Sequence, residues 1–213
     1  MFGCEQPPPY QNPLPVSSGV RQGFFSFIKV LFLAKNSTLR LNTKDMPTID
    51  HLLETVASYA KEADLDLVRL AYDFAAAAHH GQLRKSGEPY IVHPLAAAQI
   101  LADIRIDPII VTATLLHDVP EDTPVTIEQV EENFGSEIAS LVRGITKLGK
   151  LKYRGVERYI ENLRKMFVAM AEDVRVVIIK FADRIHNLET LSALPPPKQY
   201  RIALESLEIY API

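Results

Sequence analysis

The feature that most constrains this chain is an abrupt change of chemistry within Leu115-Leu116-His117-Asp118-Val119-Pro120-Glu121-Asp122-Thr123. Ile109, Ile110, Val111, Ala113, Leu115 and Leu116 precede it and read as the buried face of a helix. An imidazole and three carboxylates then follow at once. If the helix continued, Asp118, Glu121 and Asp122 would project to one side with Cβ atoms roughly 6 Å apart. Two carboxylates at that spacing repel by about 3 kcal/mol at an effective dielectric near 20. Such a face either lies open to water or holds something positive. An acidic trio alone reads as a solvated helix end. His117 changes that reading, because an imidazole beside a carboxylate is a ready pair of metal ligands.

The chain has 213 residues, 47% apolar and 23% charged, enough for one sizeable folded domain. A net charge of −3 supplies no global basic field, so nucleic acid is not an expected partner. The single cysteine, Cys4, excludes an internal disulfide framework and a thiolate zinc site, and fits a reducing cytoplasm. The longest apolar run, residues 24–34, is interrupted by Ser26 and Lys29, and its 11 residues cannot span a bilayer. No small-x-small cleavage site follows it, so export is not expected.

Residues 1–45 read as a separate tail, Pro-rich at first, with a short helix over 24–34. Met46 directly precedes the first well-patterned helix and is a plausible alternative start. From Thr48 the apolar period is helical: Ile49, Leu52, Leu53, Val56 and Tyr59 form the first face. Asp64 or Asp66 is the expected cap of a helix running through residues 67–80, ended by Gly81. Residues 82–89 read as a loop, and His93-Pro94 opens a helix to about Ile104. Asp107-Pro108 opens the helix that delivers His117. Thr126 and Gln129 form a capping box for a helix to Phe134, hinged at Gly135 to a second over 136–148. Residues 157–171 read as a further helix. Val174, Val176, Val177, Ile178 and Ile179 suggest a strand, but apolar residues at 174, 177, 178, 181, 185 and 188 fit period 3.6, so 173–191 is assigned helical. Pro195-Pro196-Pro197 breaks it, and 199–210 is the last helix. The expected fold is all-α, a single domain.

Lys180, Asp183, Asn187 and Thr190 form a polar stripe on the 173–191 helix, and Asp183 in so apolar an element is better paired or ligating than idle. His79 and His80 end an Ala-rich helix, where at least one reads as a helix-end or surface residue. His93 follows Tyr90-Ile91-Val92 and by itself reads as a satisfied core histidine. With His117, Asp118 and Asp183 it completes two imidazoles and two carboxylates. That donor set suits Mn²⁺, Fe²⁺, Co²⁺ or Zn²⁺ and argues against a closed structural zinc site. The Arg84-Lys85-Ser86-Gly87 loop can receive phosphate.

These residues resemble the HD phosphohydrolase superfamily in order and spacing. More narrowly, the chain resembles the hydrolase domain of RelA/SpoT-type (p)ppGpp synthetase/hydrolases. The matching runs are residues 81–94, 116–123, Gly144-Ile145-Thr146-Lys147-Leu148 and Lys180-Phe181-Ala182-Asp183-Arg184-Ile185-His186-Asn187. The likeness extends over roughly 49–213, so residues 46–213 are expected to be an HD-type hydrolase domain ending where a synthetase domain would begin.

The resemblance implies that His93, His117, Asp118 and Asp183 hold one Mn²⁺. It implies that Glu121 and Asp122 position and deprotonate the attacking water. Arg84, Lys85 and Ser86, with Asn187 and Thr190, are implied to grip the guanosine nucleotide. The implied reaction removes the 3′-pyrophosphate of ppGpp or pppGpp, giving GDP or GTP and pyrophosphate. A metal-bound water is a nucleophile near neutral pH, and the ion offsets phosphate charge.

Two features depart from the family pattern. Pro120 stands where an aliphatic residue is usual; it removes an N–H, so the helix is expected to end near Asp118. The resemblance stops short of the family's synthetase and regulatory domains, so synthesis of ppGpp is not expected from residues 1–213. Two other readings stand beside the hydrolase: an HD phosphohydrolase for another nucleotide, and a remnant that binds without turnover.

Overall fold

A computed structural model describes residues 47–149, 164 and 166–211. The tail 1–45, its expected helix at 24–34, and most of the expected helix at 157–171 lie outside these residues; 166–172 are helical. No helix among the described residues is long and apolar enough to cross a membrane.

Among the described residues, eight α-helices have both bounds described, beside the helical stretch 166–172: α1 Ile49–Ala57, α2 Glu62–Ala78, α3 Val92–Asp103, α4 Pro108–Leu116, α5 Val119–Asp122, α6 Ile127–Gly149, α7 Val174–Glu189 and α8 Pro196–Glu205. A 3₁₀ turn, Leu191–Ala193, follows α7, and a π turn, Ser206–Tyr210, follows α8. The described residues contain no strand, only an isolated bridge between Leu83 and Pro89. The fold is all-α.

Local chemistry sets the helix ends. Thr48 caps α1 by accepting from the His51 N–H at 3.2 Å, and Asp107 caps α4 by accepting from that of Ile109 at 2.8 Å. Helix α2 begins five residues earlier than the sequence suggested. Asp64 lies in its first turn and accepts from the Lys61 N–H at 3.1 Å, so Lys61, not Asp64 or Asp66, is the boundary residue. A carboxylate two residues inside the helix satisfies the boundary amide as well as one at the boundary would. Likewise α8 starts at Pro196, because prolines in a first helical turn forfeit no bond.

Helix α4 is the central post. All seven residues from Ile110 to Leu116 are buried, and it packs against α2, α3, α6 and α7. Two of the seven are threonines; Thr112 and Thr114 turn their hydroxyls back to the Pro108 and Ile110 carbonyls at 2.8 and 2.7 Å. Each buried hydroxyl thereby keeps a partner without leaving the core.

Helix α6 bends at Gly135, whose φ of 83° and ψ of 168° only glycine adopts cheaply. The capping box forms: the Thr126 amide donates to Gln129 Oε1 at 2.9 Å and the Gln129 amide to Thr126 Oγ1 at 3.4 Å. Farther along, Gly144 is where α6 meets α7; a Cβ there would stand 2.7 Å from Val176 Cγ2. Asp173 caps α7, accepting from the Arg175 N–H at 2.9 Å, and the Arg175 guanidinium holds its carboxyl below the ordinary range.

The Gly144–Val176 contact predicts a reversal of sign. Gly144→Ala gains about 1 kcal/mol of helix propensity but overpacks against a stiff β-branched side chain at a cost of about 1–3 kcal/mol. It should lower the urea midpoint in the wild-type background and raise it in a Val176→Ala background. An additive double mutant would show that the two helices do not meet there.

Candidate metal and nucleotide site

The site forms where α4 runs out. His117 caps α4, and its Nδ1 lies 2.7 Å from the Thr114 carbonyl. A carbonyl only accepts, so Nδ1 carries the proton and Nε2 presents a lone pair. Nε2 is buried without a hydrogen-bond partner, and Asp118 Oδ1 is 3.1 Å away.

The helix breaks at this point for a covalent reason. Pro120 has no N–H to give the Leu116 carbonyl and its ring would clash with that carbonyl, so the chain restarts with Pro120 in the first turn of α5. The Glu121 and Asp122 amides close that turn on the Asp118 carbonyl at 3.1 and 2.9 Å. Val119 is fully buried and pins the turn, while Glu121 and Asp122 face outward, exposed. The break expected near Asp118 therefore falls one or two residues earlier.

His93, the second residue of α3, completes the cluster. Its Nε2 lies 3.2 Å from Asp183 Oδ1 and 3.6 Å from Asp118 Oδ2. Ligand atoms of His93, His117 and Asp118 all fall within 4.8 Å of one another. Asp183, from α7, borders this trio through His93. Lys180 Nζ, at 2.7 Å, and the Asn187 amide already hold its carboxylate. Burial opposes the charge on Asp183, yet Lys180 keeps the carboxyl well below its ordinary range.

On the other side of the His93 ring, Nδ1 is 2.7 Å from Nδ1 of His186. Burial, with His93 and Arg84 nearby, pushes the His186 imidazole down to about 3, so it is neutral. Above the cluster, the Tyr90 hydroxyl sits 2.9 Å from Asp118 Oδ2 and 2.7 Å from Asp122 Oδ2. Burial, then the charge on Asp118, raises the phenol, so it stays protonated and has one hydrogen for two carboxylates. His79 is buried and stacks on the Tyr90 ring at 4.5 Å, whereas His80 is exposed. Gln82 donates to the Asp122 carbonyl at 2.8 Å and lies 2.9 Å from His79 Nδ1.

The loop over residues 82–90 folds back on itself: the Arg84 amide donates to the Glu88 carbonyl at 2.8 Å and the Tyr90 amide to that of Gln82 at 3.0 Å. Gly87, at φ 88°, makes the turn. Arg84, Lys85 and Ser86 thereby line a cleft of about 480 Å³ with Asn187 and Thr190, and the same cleft reaches His93, Asp118 and Asp183. His117 lies buried behind it. Partial loss of hydration raises the Glu121 carboxyl; Lys180 opposes that shift and Asp118 adds to it.

The structure brings Arg84, Lys85, Ser86, His93, Asp118, Asp183, Asn187 and Thr190 to one cleft with His117 behind it, leaves Glu121 and Asp122 exposed outside its lining, and joins Tyr90, Lys180, His186, His79 and Gln82 to the group. His186 was visible only as part of a matching run, and Lys180 as part of that run and of a polar stripe. Tyr90 was visible only inside the matching run 81–94, three residues before His93. The donor set fits a metal ion. His117 Nε2 is a buried lone pair without a hydrogen-bond partner and faces Asp118 beside His93, a nitrogen and oxygen set that a divalent cation suits.

Residues 71–213 match the family described as HD domain, and the chain belongs to that family. Within it the chain is similar to SpoT/RelA proteins. It is 50% identical over 169 residues to a guanosine-3′,5′-bis(diphosphate) 3′-pyrophosphohydrolase of Vibrio cholerae, covering 79% of this chain and 24% of that protein. It is 49% identical over 169 residues to the bifunctional (p)ppGpp synthase/hydrolase SpoT of Escherichia coli, with the same coverage. A GTP pyrophosphokinase of Myxococcus xanthus is 50% identical over 163 residues, 75% of this chain and 22% of that one. The chain therefore spans about a quarter of the length of the curated relatives it matches. A solved structure described as a metazoan ortholog of SpoT that hydrolyzes ppGpp shares the fold, with a TM-score of 0.56 and 24% identity over 71% of this chain and 85% of that one.

A divalent transition metal at about a hundredfold its Kd should stabilise the folded protein by about 2.7 kcal/mol. The urea midpoint should rise accordingly in wild type and stay fixed in His117→Ala. A wild-type midpoint indifferent to metal would show that protons, not an ion, hold the four groups together.

Proposed function

We propose that residues 46–213 form a hydrolase domain that removes the 3′-pyrophosphate of ppGpp or pppGpp, using one Mn²⁺, with residues 1–45 a separate tail. The observation that carries this reading is the cleft. Arg84, Lys85 and Ser86 share its lining with His93, Asp118 and Asp183, and His117 is buried behind it; this supports the reading in a chain 50% identical over 169 residues to a named ppGpp pyrophosphohydrolase.

In this reading His93, His117, Asp118 and Asp183 hold the ion, which when bound activates water and offsets phosphate charge. Glu121 and Asp122, on an exposed turn beside the cluster, orient the attacking water and take its proton. A raised Glu121 carboxyl is a better proton acceptor than an ordinary one. Arg84, Lys85 and Ser86 receive the nucleotide's phosphates, and Asn187 and Thr190 contact it from α7. Lys85 stands close enough to Lys198 to push that ammonium down, a pair of like charges that an anion relieves. The setting is cytoplasmic, with a guanosine polyphosphate as the partner and neither nucleic acid nor membrane required.

A second reading rests on the Myxococcus relative, which shares this region at the same identity but is named for the opposite reaction. It makes the domain a nucleotide-binding remnant. Pyrophosphate release from ppGpp by metal-stripped protein, with and without Mn²⁺, separates the two. Release confined to the Mn²⁺ sample supports the hydrolase; folded, metal-loaded protein without release supports the remnant. Hydrolysis of other nucleotides in preference to ppGpp would instead make this an HD phosphohydrolase of different specificity.

Glu121→Gln should retain metal and lower kcat by about 10²–10⁴-fold, the usual contribution of a positioned base. His117→Ala and Asp183→Ala should lose metal and turnover together. Full turnover in Glu121→Gln would remove Glu121 from the mechanism.

A further inference from the structure

Arg84 does more in this structure than line the cleft. Its Nη1 lies 3.1 Å from His186 Nδ1, and its Nη2 donates to Asn187 Oδ1 at 3.1 Å. Both residues hold a candidate metal ligand: His186 Nδ1 is 2.7 Å from His93 Nδ1, and the Asn187 amide donates to Asp183. A guanidinium can only donate. His186 Nδ1 must therefore be an acceptor, which leaves the proton between the two imidazoles on His93. With Nδ1 protonated, His93 Nε2 is a lone pair, and it is the atom that faces Asp118 and Asp183.

We propose that His186 is a positioning residue. Held as an acceptor by Arg84, it fixes His93 in the Nδ1–H tautomer and aims the His93 Nε2 lone pair at the metal position. Protein metal sites commonly orient a ligating histidine through a carboxylate or backbone carbonyl. Here a neutral imidazole fills that place, and its Nδ1 is shared between the Arg84 guanidinium and the His93 ring. The Arg84 fork braces one ligand from α3 and one from α7 at once. Occupancy of the phosphate loop and affinity for the ion are thereby coupled, and the coupling is reciprocal. The inference rests on His93 being a ligand.

The metal-free protein gives the first test. Long-range ¹H–¹⁵N spectra should show His93 as the Nδ1–H tautomer and His186 as the Nε2–H tautomer. His93 protonated on Nε2 alone would overturn the proposal whatever the metal does. Arg84→Ala should relax the preference of both rings; unchanged tautomers in that variant would remove Arg84 from the scheme.

Mn²⁺ affinity gives the second test. Asparagine places an oxygen close to where histidine carries Nδ1, so His186→Asn should bind Mn²⁺ within a few-fold of wild type. His186→Leu fills similar space without an acceptor and should bind 10–100-fold more weakly, with helical content and melting checked by circular dichroism. Equal affinity in the two variants would overturn the proposal. If His186→Leu fails to fold, the wild-type and Arg84→Ala spectra still decide it. Wild type that binds no Mn²⁺ would instead sink the ligand reading of His93, a result distinct from a failed tautomer assignment.

Discussion

Everything around the cleft follows from one electrostatic demand: acceptor atoms without protons of their own are brought within a few ångströms of each other and kept there. His117 Nε2, Asp118 and Asp183 lie about His93 Nε2, and such a group persists only where a cation or the scaffold holds it. The scaffold does hold it. His117 is tied to its own helix through the Thr114 carbonyl, His93 is backed by His186, and Asp183 is gripped by Lys180 and Asn187. Helix α4, buried from Ile110 to Leu116, carries His117 at its end.

Much of this was legible in the sequence where the signal is local and periodic. Residues 173–191 carry a β-branched run that invites a strand, yet the apolar spacing favoured a helix, and α7 spans Val174–Glu189. Packing periodicity over five turns outweighs the intrinsic preference of a few valines. The hinge at Gly135 and the Thr126–Gln129 cap were equally readable, since each depends on neighbours three residues away or fewer.

The start of α2 was misplaced because an acid inside a first turn and an acid at the boundary leave the same trace in a sequence. The partners that hold the site were not legible for a different reason. Tyr90 reaches Asp118 and Asp122 across 28 and 32 residues. His186 reaches Arg84 across 102 and His93 across 93. No periodicity encodes such pairs. Their residue types are ordinary, and they acquire roles only when α3, α4 and α7 converge. His79 and His80 divide the expectation that at least one of them is a surface residue: His80 is exposed, while the chain turns at Gly81 and stacks Tyr90 on His79.

The break at His117–Asp118 separates two kinds of heritable change. Residues before it are packed on all sides, so substitutions there are felt as loss of folding. Glu121 and Asp122 after it stand exposed on a single turn, so substitutions of these two leave the post standing and alter only the carboxylates themselves. A lineage can therefore retune the reactive pair by small steps without first renegotiating its core.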